Sequence, residues 1–171
     1  MKEQSCAIIG SPPLSFSWGY DEEDERCVAL KLLLLNRITL LRSQGITDFY
    51  VVLDAGVGLY AAEMINSLRE SDEALRLICI IPWEGQATKW TPELRERYFA
   101  AQEKCSEVKM VSLAKTVDCE ITAMLDAIDL VGNVIAVRGE DAVLLSTALR
   151  YAERLKKQIT ALDSDIGKLR V

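Results

Sequence analysis

The stretch from Asp48 to Glu63, DFYVVLDAGVGLYAAE, constrains the fold more than any other part of this chain. The apolar run Phe49-Tyr50-Val51-Val52-Leu53 has the length of a buried strand. It breaks at Asp54-Ala55-Gly56-Val57-Gly58, and a helical pattern follows from Leu59 to Glu63. Strand, glycine turn and helix, in that order, place the turn at the strand's carboxyl end, where open α/β sheets hold ligands. The free N–H groups of the helix's first turn point back into that crevice.

The same unit recurs along the chain. Ser5 to Gly10 reads as the first strand, and Ser11-Pro12-Pro13 forces a non-helical turn after it. Leu14 to Tyr20 is expected to form a lid whose aromatics pack against the core. The acidic run Asp21 to Glu25 opens a long helix, complementing the positive end of its dipole, and Gly45 ends it. Its buried stripe is predicted at Val28, Leu34, Leu35, Ile38 and Leu41, widened by Leu32 and Leu33 so that the helix is covered on more than one side. The second helix runs to about Ser71. Leu75 to Pro82 is a third strand, apolar enough to be buried on both faces. Thr91-Pro92-Glu93 has the form of an N-cap with proline at N1, and its helix reaches about Cys105.

A fourth strand (Val108 to Leu113), a short helix (Asp118 to Asp129), a fifth strand (Val131 to Val137), a helix (Ala142 to Gln158) and an edge strand (Ile159 to Leu162) follow. Strands alternate with helices throughout. That argues for a Rossmann-like, doubly wound α/β fold, with a mainly parallel sheet of about five to six strands and helices on both faces. Residues 1–162 are assigned to this one domain and residues 163–171 to a polar tail.

Charge and composition exclude several functions. The 171-residue chain carries a formal net charge of −6, which argues against general nucleic-acid binding. It contains no histidine, the commonest general base and metal ligand. Its five cysteines are scattered, odd in number and without a C-x-x-C pair, so neither a disulfide framework nor a zinc site is expected. Cys6 and Cys79 read as small core residues. Cys119 has only Lys115 as a nearby cation, which argues against a nucleophile. The longest apolar run, Val28 to Leu35, is broken by Lys31 and too short to span a bilayer. The start, MKEQSCAIIGSPP, lacks a signal-peptide pattern, so the expectation is a cytoplasmic protein with no membrane partner.

Three stretches together carry a resemblance: Gly19 to Cys27 with Leu30-Lys31; Gly56 to Glu63; and Ile81 to Trp90 with Arg95 to Phe99. The pattern resembles the YpsA-like branch of the SLOG superfamily, over about Cys6 to Ile159. That superfamily includes the LOG cytokinin-activating phosphoribohydrolases and the DNA-processing protein DprA. The resemblance implies a Rossmann-like fold that binds nucleotides or nucleotide-derived small molecules in the crevice.

The departures from the family pattern share a direction. Gly10-Ser11-Pro12-Pro13 stands where the family has Gly-His-Arg-Pro, and Val52-Leu53 where it has Ser-Gly. Gly58 replaces an acidic residue, Glu120-Ile121 replaces Arg-Asn, and Leu145-Ser146-Thr147 replaces Gly-Gly-Thr. Glycines that would admit a phosphate to backbone N–H groups are lost, and so are the cations that would meet it. The phosphate-facing half of the pocket reads as dismantled and the aromatic half as kept.

The candidate ligand residues each carry a structural alternative. Gly10 and Ser11 end the first strand. Gly56 and Gly58 either cradle an anion or serve the turn's geometry. Asp54 would repel a phosphate but suits a ribose hydroxyl. Glu63 is a pocket carboxylate or a surface salt bridge. Trp83, Glu84, Gln86 and Trp90 would stack on and read a base, or the tryptophans simply pack their loop. Arg97 is the best surviving phosphate partner, or a solvated arginine. Thr147 offers a hydroxyl at the last helix, or is an ordinary helix residue. Asp126 and Asp129 share a helix face without a third metal ligand.

The leading expectation is a non-catalytic binder of a nucleotide-like molecule, without a cofactor. The alternatives are a nucleotide hydrolase of the phosphoribohydrolase type, or an interaction domain. A homodimer through an apolar face of the first helix is also expected.

Overall fold

The computed structural model describes residues 2–163. The elements run β1 (Ser5–Gly10), α1 (Glu25–Ser43), β2 (Asp48–Val52), α2 (Val57–Arg69), β3 (Arg76–Ile81), α3 (Pro92–Lys104), β4 (Glu107–Met110), α4 (Cys119–Asp129), β5 (Asn133–Arg138), α5 (Val143–Arg154) and β6 (Gln158–Asp163). The six strands form one sheet in the order β4-β3-β2-β1-β5-β6. Every neighbouring pair is parallel. This is the doubly wound, Rossmann-like arrangement that the alternation of strands and helices implies.

Strand periodicity divides the interior into two cores. In β1, Cys6 and Ile8 enter one and Ala7 and Ile9 the other. The first core takes the apolar faces of α1, α2 and α3, with Leu30, Leu34, Ile38, Leu59, Ile65 and Tyr98 fully buried. The second lies under α4 and α5 and is built largely from small side chains, Ala123, Ala127, Ala148 and Ala152 against Ala7 and Ala136.

Three expectations are revised by packing. The stripe of α1 is Cys27, Leu30, Leu34, Ile38 and Leu41, because helix phase runs from an N-cap at Asp24, whose side chain accepts the Arg26 N–H. Val28 and Leu32 are exposed, so α1 is covered on one side only; an unbroken aliphatic run cannot all face one way. The Leu14–Tyr20 loop packs its aromatics against the core as expected, although Leu14 and Tyr20 at its ends are exposed. Phe16 and Trp18 stack at 4.9 Å inside the first core, and the Ser15 carbonyl accepts the Glu140 N–H at 2.7 Å. Helix α5 stops at Arg154, short of Gln158, because Lys156 takes a φ of 57° and turns the chain into β6. Asp163 closes β6, and the rest of the expected tail lies outside the described residues.

Candidate ligand-binding crevice

The chain builds strands outward from β1 to β4, then returns to place β5 on the other side of β1. Strand order therefore reverses between β1 and β5, where open sheets part to admit a ligand. A cavity of about 260 Å³ opens at the carboxyl ends of the strands. Gly10 and Ser11 line it after β1, Leu53 and Asp54 after β2, and Pro82 and Gln86 after β3. Glu120 and Met124 of α4, with the segment 141–145 leading into α5, close the other side.

Backbone proximity shapes the floor. A Cβ on Gly58 would lie 2.2 Å from the Val52 carbonyl oxygen, so only glycine lets α2 start this close to β2. A Cβ on Gly10 would meet Val57 at 2.7 Å. Ser11 is buried; its N–H donates to the Val137 carbonyl and its hydroxyl accepts the Gly139 N–H, each at 3.0 Å. These bonds tie the turn after β1 to the end of β5.

Asp54 defines the electrostatics. Its Oδ1 accepts the N–H groups of Gly56 at 2.8 Å and Gly58 at 2.9 Å. The carboxylate thus caps α2 from outside the helix, where the dipole favours a negative charge. Burial pushes this carboxyl up to about 6, against the pull of the two N–H bonds, and Glu120 adds to the rise. Gln86 lines the cavity while its amide nitrogen donates to the Leu53 carbonyl and the Tyr98 hydroxyl.

The other candidate residues stand apart from the cavity. Glu63 and Arg97 face each other across α2 and α3, paired at 3.1 and 2.6 Å. Arg97 also grips Glu22, at 2.6 and 2.9 Å. Lys31 completes the cluster, 2.7 Å from Glu22 and 4.5 Å above the Tyr60 ring. Burial works to raise the Glu22 carboxyl, but hydrogen bonds from Arg97 and Lys31 outweigh it and hold it below its ordinary value. Arg97, expected as a phosphate partner, is engaged as the centre of this lock.

Trp90 meets Tyr98 edge-on at 5.0 Å and packs against the first core. Trp83 lies beneath the Lys115 ammonium at 6.0 Å, and Glu84 is exposed. Thr147 donates to the Val143 carbonyl on the exposed face of α5. Asp129 accepts the Tyr151 hydroxyl. No cluster of three or more metal-ligating side chains occurs among the described residues.

Sequence reasoning had not singled out Met124, Glu120 or Asp141 as cavity walls. For Glu120 and Asp141 the signal is positional, since a residue at or just before the start of a helix that follows a parallel strand stands at the carboxyl edge of the sheet.

A family model described as the YspA SLOG family (YpsA) matches residues 6–119, from β1 into the first residue of α4. The chain belongs to the YpsA SLOG family. It is similar to UPF0398 proteins of Bacillus. The protein from B. velezensis is 28% identical over 94 residues, covering 55% of this chain and 51% of the relative. The one from B. licheniformis is 30% identical over 95 residues, covering 55% and 51%. That from B. pumilus is 29% identical over 93 residues, covering 54% and 49%. The similarity spans about half the length of each relative. The matched SLOG segment contributes Gly10, Asp54 and Gln86 to the cavity, whereas Glu120, Met124 and Asp141 lie beyond it. No helix among the described residues is long and apolar enough to cross a membrane.

Proposed function

We propose that this chain is a non-catalytic binder of a nucleotide-derived small molecule, held in the crevice at the carboxyl ends of β1, β2 and β3. The observation that carries this reading is the cavity of about 260 Å³ at the reversal of strand order. Its volume falls just below the roughly 300 Å³ at which pockets for drug-sized ligands begin. That suits a base or nucleoside better than a dinucleotide. The non-catalytic reading is supported by Glu63, the carboxylate expected to serve a hydrolase of this kind, which pairs with Arg97 outside the cavity. The test is thermal unfolding with bases, nucleosides and nucleotides, for the native chain and for Leu144→Trp, which fills the cavity from an exposed position. A binder at a hundred times its dissociation constant adds about 2.7 kcal/mol to the folded state. A shift that Leu144→Trp abolishes supports the site. No shift with any compound overturns the reading, and steady release of free base from a nucleotide replaces it with the hydrolase.

A second reading, self-association through α1, rests on Val28, Leu32 and Leu40, all exposed on its outer face. Sedimentation at rising concentration tests it, and a constant monomer mass refutes it.

A further inference from the structure

We propose that Asp54 is a built-in anion occupying the phosphate position of the crevice, so that the site selects an uncharged or cationic ligand, such as a nucleoside or base, and rejects its phosphate ester. This deepens the function proposed above and rests on it.

The first support is occupancy. In an open α/β sheet, the N–H groups at the start of the helix after a ligand-binding strand meet the ligand's anion. Here the N–H groups of Gly56 and Gly58 converge on one oxygen, Oδ1 of Asp54, at 2.8 and 2.9 Å. The donors a phosphate would use are already satisfied by an anion covalently part of the chain.

The second support is the charge of the walls. Asp54, Glu120 and Asp141 line the cavity, and among the described residues no lysine or arginine does. With its carboxyl at about 6, Asp54 is ionised at pH 7.5. A phosphate entering the cavity would meet these carboxylates with no cation among the described lining residues to offset them; Asp54 is the least exposed of the three, so its repulsion is the least screened. Arg97 cannot be recruited without breaking its bonds to both Glu22 and Glu63.

The third support is what the cavity offers instead. Val52, Leu53, Met124 and Leu145 present apolar surface to a flat ring. Asp54 Oδ2 makes no hydrogen bond to protein among the described residues, so it can accept from a ribose hydroxyl or an exocyclic amine.

The experiment is calorimetric titration at pH 7.5 with adenosine, guanosine, cytidine, uridine and the 5′-monophosphate of each. It uses the native chain, Asp54→Asn, which keeps an acceptor for Gly56 and Gly58, and Glu120→Gln, an exposed change that leaves the cap intact. The native chain is expected to bind at least one nucleoside about tenfold more tightly than its monophosphate. Asp54→Asn should narrow that ratio about tenfold, and Glu120→Gln should narrow it less. If Asp54→Asn does not fold, narrowing by Glu120→Gln carries the test. Equal or tighter binding of the monophosphate by the native chain overturns this inference and leaves the binding function standing. A ratio unmoved by either substitution also overturns it. No binding of any compound by any of the proteins overturns both.

Discussion

Asp54 and Glu63 belong to the same turn-and-helix unit after β2, and the molecule treats their charges in opposite ways. Glu63 stands on the outer side of α2, where Arg97 bridges it to Glu22 and joins the approach to α1 with α2 and α3. Asp54 stands at the sheet's carboxyl edge, held by two backbone N–H groups and facing Glu120, with no cation among the described residues lining the same cavity. One region neutralises its charge with side chains; the other retains it. The basic residue best placed in sequence to serve a phosphate has been taken into the lock, and the pocket beside it is left acidic. On the reading proposed above, the crevice can disfavour an anion without any deletion. Arg97 has its partners in Glu22 and Glu63 instead.

The two regions also respond to pH with opposite sign. The Glu22 carboxyl is held below its ordinary value, so its contribution to stability is present above that value and is lost as pH falls. The Asp54 carboxyl is raised from 3.8 to about 6, so the folded state holds its proton to higher pH than the unfolded chain. Its contribution is fully present below pH 3.8 and is lost as pH rises through about 6.

The largest expected effect strikes the floor of the crevice. Gly58→Ala puts a Cβ against the Val52 carbonyl and Leu53 Cα, both backbone, and should cost about 3 kcal/mol in urea unfolding, the upper range for overpacking. An unchanged midpoint would show that α2 can back away from β2. Next comes Arg97→Met, which leaves Glu22 and Glu63 without their shared cation. It should cost about 1–2 kcal/mol, reduced from a buried pair's value by partial exposure. Ligand affinity in calorimetry should stay within about twofold. A parallel loss of affinity would show that the lock and the crevice are coupled. A smaller effect separates the regions by pH: relative to the native chain, Asp54→Asn should gain about 1 kcal/mol between pH 5 and pH 8. Glu22→Gln should flatten the acid limb instead. A difference profile for Asp54→Asn that is flat across that window would remove Asp54 as a retained charge. The smallest effect is Thr147→Val, expected within about 0.5 kcal/mol and without consequence for binding, because this residue lies outside the crevice.

Much of this architecture was legible locally. Thr91 caps α3 with Pro92 at its start, its hydroxyl accepting the Leu94 N–H. The apolar run Leu77–Ile81 is buried throughout, as a central parallel strand requires. The crevice was legible only in part. Gly10, Ser11, Asp54 and Gln86 line it, and each ends a strand, follows directly on one or sits in the loop after one. Thr147 also follows a strand, but helix phase turns it outward, and that phase depends on how Leu145, Ala148 and Ala152 seat against the sheet. Val28 was misassigned for a similar reason, since a helix rich in aliphatic residues has several apolar faces and packing chooses one.

By itself, the sequence determined the order of strands and helices, the turn after β2 and the lack of histidine chemistry. These follow from side-chain periodicity, steric limits on the backbone and composition, all of which act over a few residues or none. Tertiary structure decided where charges find partners and which face of α1 is buried. Glu22 and Arg97 are 75 residues apart, and nothing local marks either as the other's partner. The Asp54 carboxylate lies at the α2 N-terminus because the strand-to-helix turn brings its oxygen within reach of Gly56 and Gly58. The absence of a cation beside it among the described lining residues is different in kind, because Coulomb pairing depends on distance in space, and only folding sets that distance.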